Sequence, residues 1–100
     1  MNDKELLEFA AKAAGYEYAK HGGYIVVDGI PGNWNPLKDD GDALRLAVKL
    51  KIDVKHYDDY VVGWFDGGFI GTGKIFYEGD PYAATRRAIV RAAAEIGKEL

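Results

Sequence analysis

The sequence predicts an α+β fold: a mainly antiparallel sheet of about four to five strands, an N-terminal hairpin plus a C-terminal meander, covered by three helices in the order α-β-β-α-β-β-β-α. Three observations carry this. Apolar residues recur at helical spacing near residues 2–15, 39–50 and 80–100. From Lys51 to Tyr77 the period changes to two. Glycine, proline and aspartate gather where one period gives way to the other.

Asn2 and Glu5 have capping-box spacing and start the first helix. Leu6, Phe9, Ala10, Ala13 and Ala14 form its buried face; Lys4, Glu8 and Lys12 form a solvated one, and Gly15 supplies a left-handed stop. Residues 16–20 alternate, His21-Gly22-Gly23 can turn, and residues 24–28 are a β-branched apolar run, the pattern of a hairpin. His21 reads as an exposed turn residue, because no second histidine or carboxylate cluster accompanies it. Gly29-Ile30-Pro31-Gly32 is expected to take the chain out of the sheet.

The start of the second helix carries the densest local signal. Trp34 reads as an apolar plug and Asn35-Pro36 as a fixed turn, and Asp39 and Asp42 offer acceptors to the free amides of the helix. Ala43, Leu46, Ala47 and Leu50 form one apolar face, widened by Leu44 and Val48, so this helix is expected to be well buried. Asp39, Asp40 and Asp42 also have the oxygen chemistry of a Ca²⁺ or Mg²⁺ site, but a calcium loop closes on a glutamate at its twelfth position, which counted from Asp39 is Leu50. The acids therefore read as caps, and no metal site is assigned.

Ile52, Val54 and His56 alternate with Lys51, Asp53 and Lys55; Asp58-Asp59 turns; Tyr60 to Phe65 is a strand; and Asp66-Gly67-Gly68 turns again. Residues 69–77 read as one last strand, in which Gly71 and Gly73 leave a shallow trough. Asp80 caps the third helix and Pro81 takes its first position. Its apolar face is Thr85, Ile89, Ala92, Ala93, Ile96 and Leu100, and Arg86, Arg87 and Arg91 form a basic cluster in which Arg91 can pair with Glu95.

Composition narrows the function. The 100 residues suffice for one domain with its own core, and 48% apolar with 29% charged content is that of a globular chain. The absence of cysteine excludes disulfides, thiolate nucleophiles and thiolate metal sites, and fits a reducing, cytoplasmic setting. A net charge of −3 provides no general attraction to nucleic acid, no apolar run is long enough to span a membrane, and the acidic N-terminus is unlike a signal peptide. There is no serine, no P-loop ahead of a helix, no HExxH and no paired histidine, so no catalytic residue and no cofactor site is assigned.

The stretch Trp34-Asn35-Pro36-Leu37 with residues 39–47, and Asp80-Pro81 with residues 83–97, resemble a family of small bacteriophage and prophage proteins described as having an ABA sandwich domain. The similarity takes in the N-terminal helix with its Ala-Ala-Gly stop and leaves residues 51–79 matched by pattern alone. It implies a sheet covered by helices and a bacterial-host cytoplasm as the setting, and brings no activity, cofactor or catalytic residue with it.

On these grounds the chain is expected to be a non-enzymatic module that binds a protein partner, with homodimerisation as one form of that. Tyr57, Tyr60, Trp64 and Tyr77 exceed what so small a core easily hides and are the candidate contacts, together with Trp34. The alternative is sequestration of a nucleotide-type ligand, with Arg86, Arg87 or Arg91 on phosphate and Trp34 or Trp64 against a base. Nucleic acid ranks third.

Overall fold

The computed structural model describes residues 1–19, 24–27 and 30–100, and within them the chain has an α+β fold of three helices and short antiparallel strands. Helix α1 (Asp3–Ala14) starts where the Asn2 side chain accepts from the Glu5 amide at 2.9 Å, and stops at Gly15, whose φ of 78° is the left-handed geometry glycine adopts without steric cost. Strands β1 (Glu17–Ala19) and β2 (Tyr24–Val27) pair antiparallel. The turn expected at His21-Gly22-Gly23 lies outside the described residues. Residues 30–32 do not leave the sheet: β3 (Ile30–Gly32) pairs with β2, placing Pro31 opposite Val26. An outer strand tolerates a proline because its outward side needs no donor.

Helix α2 (Asp40–Leu50) is capped by Asp39, which accepts from the Asp42 amide at 2.8 Å. It is not buried across its width. Ala43, Leu46 and Ala47 face the core, whereas Leu44 and Val48 are 64% and 70% exposed. The α2 surface wide enough to include them has no element to pack on, since α2 rests chiefly on α3.

Strands β4 (Asp53–His56) and β5 (Tyr60–Phe65) form a hairpin, and β6 (Ile70–Gly71) and β7 (Ile75–Phe76) both pair with the far side of β5. The expected single strand over residues 69–77 is therefore interrupted. Its register against β5 slips by one residue between the pairs Trp64↔Gly71 and Val61↔Ile75, a bulge centred on Thr72–Gly73 with Gly73 at φ 85°. Thr72 bridges the gap, donating its amide to the Gly63 carbonyl and accepting the Gly63 amide on its hydroxyl.

Helix α3 (Pro81–Lys98), capped by Asp80 on the Ala83 amide, is where the layers meet. Ala84 and Ala88 pack on Val61 and Ile75 of the sheet, while Ile89, Val90, Ala92, Ala93 and Ala94 join Leu6, Leu46, Ile52 and Phe65 in the main core. Its apolar surface is thus broader than one face, and Leu100, expected on that face, is exposed. Alanine and glycine make this possible by letting backbones approach. A β-carbon on Gly63 would stand 2.7 Å from the Ala88 carbonyl, and one on Gly97 would collide with the Phe9 carbonyl where α1 crosses α3. Fully buried side chains such as Leu46 and Val90 each contribute about 1.5–3 kcal/mol to stability.

Candidate partner-binding surface

Alternation along β5 decides what each side of its sheet presents. Val61, Gly63 and Phe65 point toward α3, so Tyr60, Val62 and Trp64 point to the opposite side, where no helix packs among the described residues. The register adds Asp53 opposite Trp64, Lys55 opposite Val62, Gly71 opposite Trp64 and Phe76 opposite Tyr60 to this outer face. Asp58-Asp59 is a two-residue turn closed by the Tyr57 amide on the Tyr60 carbonyl at 2.8 Å, and it stacks the Tyr57 and Tyr60 rings with centroids 4.5 Å apart and planes 15° apart.

The aromatic tract continues to Phe76, whose ring centre is 5.8 Å from that of Tyr60. Lys74 Nζ sits 5.0 Å over Tyr60 and Lys55 Nζ 5.4 Å over Tyr57, so both cations lie on ring faces where the quadrupole attracts them. Trp64 takes the other end. Its ring lies against Gly71 so tightly that a β-carbon there would be 2.8 Å from it, and glycine across the ladder is what lets the indole lie flat. The result is an open sheet face with stacked tyrosines at one end, an indole at the other, and lysines between.

The remaining sequence candidates lie elsewhere. Tyr77 turns to the α3 side, where its hydroxyl donates to the Tyr57 carbonyl at 3.2 Å and stands 2.8 Å from His56 Nδ1. The direction of the bond to His56 follows from the tautomer of its ring. Trp34 is half-buried against the main core, edge-on to Tyr16 with centroids 5.6 Å apart. Around it Pro36 is buried, the Asn35 side chain accepts from the Leu37 amide, and Asp42 reaches back to the Asn35 amide at 3.0 Å.

The arginines do not gather into one site. Arg86 donates to the Leu37 carbonyl at 2.9 Å and to Asp40 at 2.7 Å, and Arg87 pairs with Asp3 at 3.1 Å. Arg91 does not pair with Glu95; Glu95 stands 4.0 Å from Lys98 instead, three residues further along the helix. Arg91 lines two shallow clefts beside the sheet.

Two features went unread in the sequence. Phe76, Lys55 and Lys74 belong to the outer face through strand register, which a continuous last strand would have misassigned beyond the bulge. A groove of about 890 Å³ between α2, α3 and β4 carries Leu44, Val48 and Tyr82 on its rim, and the over-wide apolar stripe of α2 was its available signal. Among the described residues no cluster of histidine or carboxylate side chains could hold a metal ion, and no helix is long and apolar enough to cross a membrane.

The chain matches no family model, no curated protein and no solved structure.

Proposed function

We propose that this chain is a non-enzymatic binding module that grips a protein partner with the outer face of the β4–β7 sheet. The observation that carries it is the exposed aromatic tract itself: Tyr57 and Phe76 are 37% and 51% exposed on a face that no helix covers among the described residues. Tyrosine and tryptophan supply large, stiff contact area at little entropic cost and recur at interface centres. The resemblance of the Trp34–Ala47 and Asp80–Gly97 stretches to phage ABA sandwich proteins supplies the setting, a phage or prophage accessory protein in the cytoplasm of a bacterial host. The nucleotide reading has less support, because Arg86 and Arg87 already pair with Asp40 and Asp3 of the chain itself.

The test is a pull-down from host lysate with wild type, Tyr57→Ser, Phe76→Ser and, as a control away from the face, Lys4→Ala on the exposed side of α1. A specific protein should be retained by wild type and by the control and be lost from both aromatic variants, with unfolding midpoints unchanged. Equal capture by all four proteins would move the partner site off this face.

A further inference from the structure

The sheet that carries the aromatic tract has a free edge at β4, whose open hydrogen-bonding groups can be assigned. The Tyr57 amide donates to the Tyr60 carbonyl, so pairs that exchange hydrogen bonds recur at every second position back along the hairpin: Lys55 with Val62, Asp53 with Trp64. Gly63 agrees, because both its amide and its carbonyl are spent on Thr72, on the side away from β4. The backbone amides and carbonyls of Val54 and His56 therefore point outward from the edge. Among the described residues they meet no partner.

Two other edges of the fold carry backbone interruptions that β4 lacks. β3 carries Pro31, and the β6–β7 side is broken by the Thr72–Gly73 bulge. Along β4 there is neither proline nor bulge, and its outer face alternates an acid, Asp53, with a base, Lys55. Neither side chain is in an ion pair among the described residues.

Those two charges select an occupant. A second copy of this chain, adding its own β4 antiparallel about a two-fold axis, can be centred in three ways that bring outward-pointing residues together. Centred on Val54, the pairing sets Asp53 of each copy opposite Lys55 of the other, twice. A two-fold at Lys55 would put the two lysines face to face, and one at His56 would bring Asp53 to Asp59. Only the first is charge-complementary, and it places the opposite charges in the closer, non-hydrogen-bonded pairs of an antiparallel ladder. On the α3 side the groove lined by Leu44, Val48, Ile52, Val54 and Tyr82 opens beside the same edge, so the second copy also covers apolar surface there.

We propose that β4 pairs with β4 of a second copy about a two-fold axis at Val54, joining the two sheets into one and making the two aromatic outer faces continuous. This pairing is independent of the partner site on the outer face. An isologous contact of this kind closes on itself and leaves no open β4 edge.

Charge exchange tests it. By light scattering after size exclusion, the wild-type chain should have twice its own mass at high concentration. Asp53→Lys or Lys55→Asp alone turns both cross-pairs repulsive and should weaken dimerisation by roughly tenfold or more, while the Asp53→Lys/Lys55→Asp double variant should regain wild-type association. Independently of any substitution, the Val54 amide should become protected from hydrogen exchange as concentration rises. A wild-type monomer at every concentration would overturn the pairing, as would a dimer indifferent to the single substitutions or a double variant that stays monomeric. Protection of Val54 only after another protein is added would assign the edge to that partner and overturn it too.

Discussion

Arg86 of α3 donates through Nε to the carbonyl of Leu37 and through Nη1 to Asp40, fastening the Trp34–Asp42 turn to the central helix. Its side chain is 18% exposed but that of Asp40 is 72% exposed, so solvent screens the ion pair and the bond to the part-buried Leu37 carbonyl matters more. Arg86→Ala should lower stability by about 1–3 kcal/mol, since it strands the part-buried Leu37 carbonyl as well as removing a charge-assisted bond. Arg86→Lys should recover only part of this, because an ammonium lacks the planar fork that serves two acceptors. Urea denaturation of the three proteins checks both statements; a Lys variant equal to wild type would show that charge alone matters here.

The caps offer a graded comparison. Asp39 and Asp80 each accept one amide at the start of a helix, at 2.8 and 3.0 Å. Asp39→Ala and Asp80→Ala should each cost about 1 kcal/mol, and Asp39→Asn much less, because an amide oxygen also caps. Asp39 has a second neighbour, Arg45 at 3.9 Å, but at such exposure that pair adds little. Thermal unfolding of the variants separates the cap from the ion pair.

Gly97 governs how closely α1 and α3 cross. Its α-carbon faces the Phe9 carbonyl with no space for a side chain. Gly97→Ala raises helix propensity, which alone would stabilise by up to about 1 kcal/mol. Steric conflict with backbone should outweigh that gain and leave a net loss of about 1–3 kcal/mol, as overpacking does where the neighbour cannot rotate away. A neutral or stabilising result in chemical denaturation would mean that the helices separate without loss of packing.

Which parts of this were legible in the sequence follows from the range of the forces involved. Asn2, Asp39, Asp80, Gly15 and Pro81 act within one helical turn, and sequence spacing alone places them. The outer face was half legible. Alternation grouped Tyr60 with Trp64, but the Thr72–Gly73 bulge shifts the register, so Phe76 joins Tyr60 in a way that strict alternation from Trp64's partner Gly71 does not reproduce. Tyr77 was misplaced for a related reason: its hydroxyl reaches back across the hairpin to Tyr57 on the α3 side, a contact 20 residues distant in sequence. The exposure of Leu44 and Val48 was illegible because an apolar stripe records what a helix could bury, and not whether a neighbour is there to cover it.

Thr72 provides the sharpest single-atom test of the bulge. Its hydroxyl accepts the Gly63 amide at 3.1 Å and donates to the Gly73 carbonyl at 2.9 Å, so one side-chain oxygen does what a strand carbonyl would have done had the register not slipped. Gly63 is buried against α3, and its bond to the Thr72 hydroxyl is part-buried. Thr72→Val keeps the shape and the β-branching but removes the acceptor, leaving a buried donor unpaired at a cost of about 1–3 kcal/mol. Thr72→Ser keeps the oxygen and should lose less. The Gly63 amide should exchange with solvent markedly faster in the valine variant than in the serine one. If both variants exchange alike, the bulge is held by the backbone bond from Thr72 to Gly63 alone, and the hydroxyl is incidental to it.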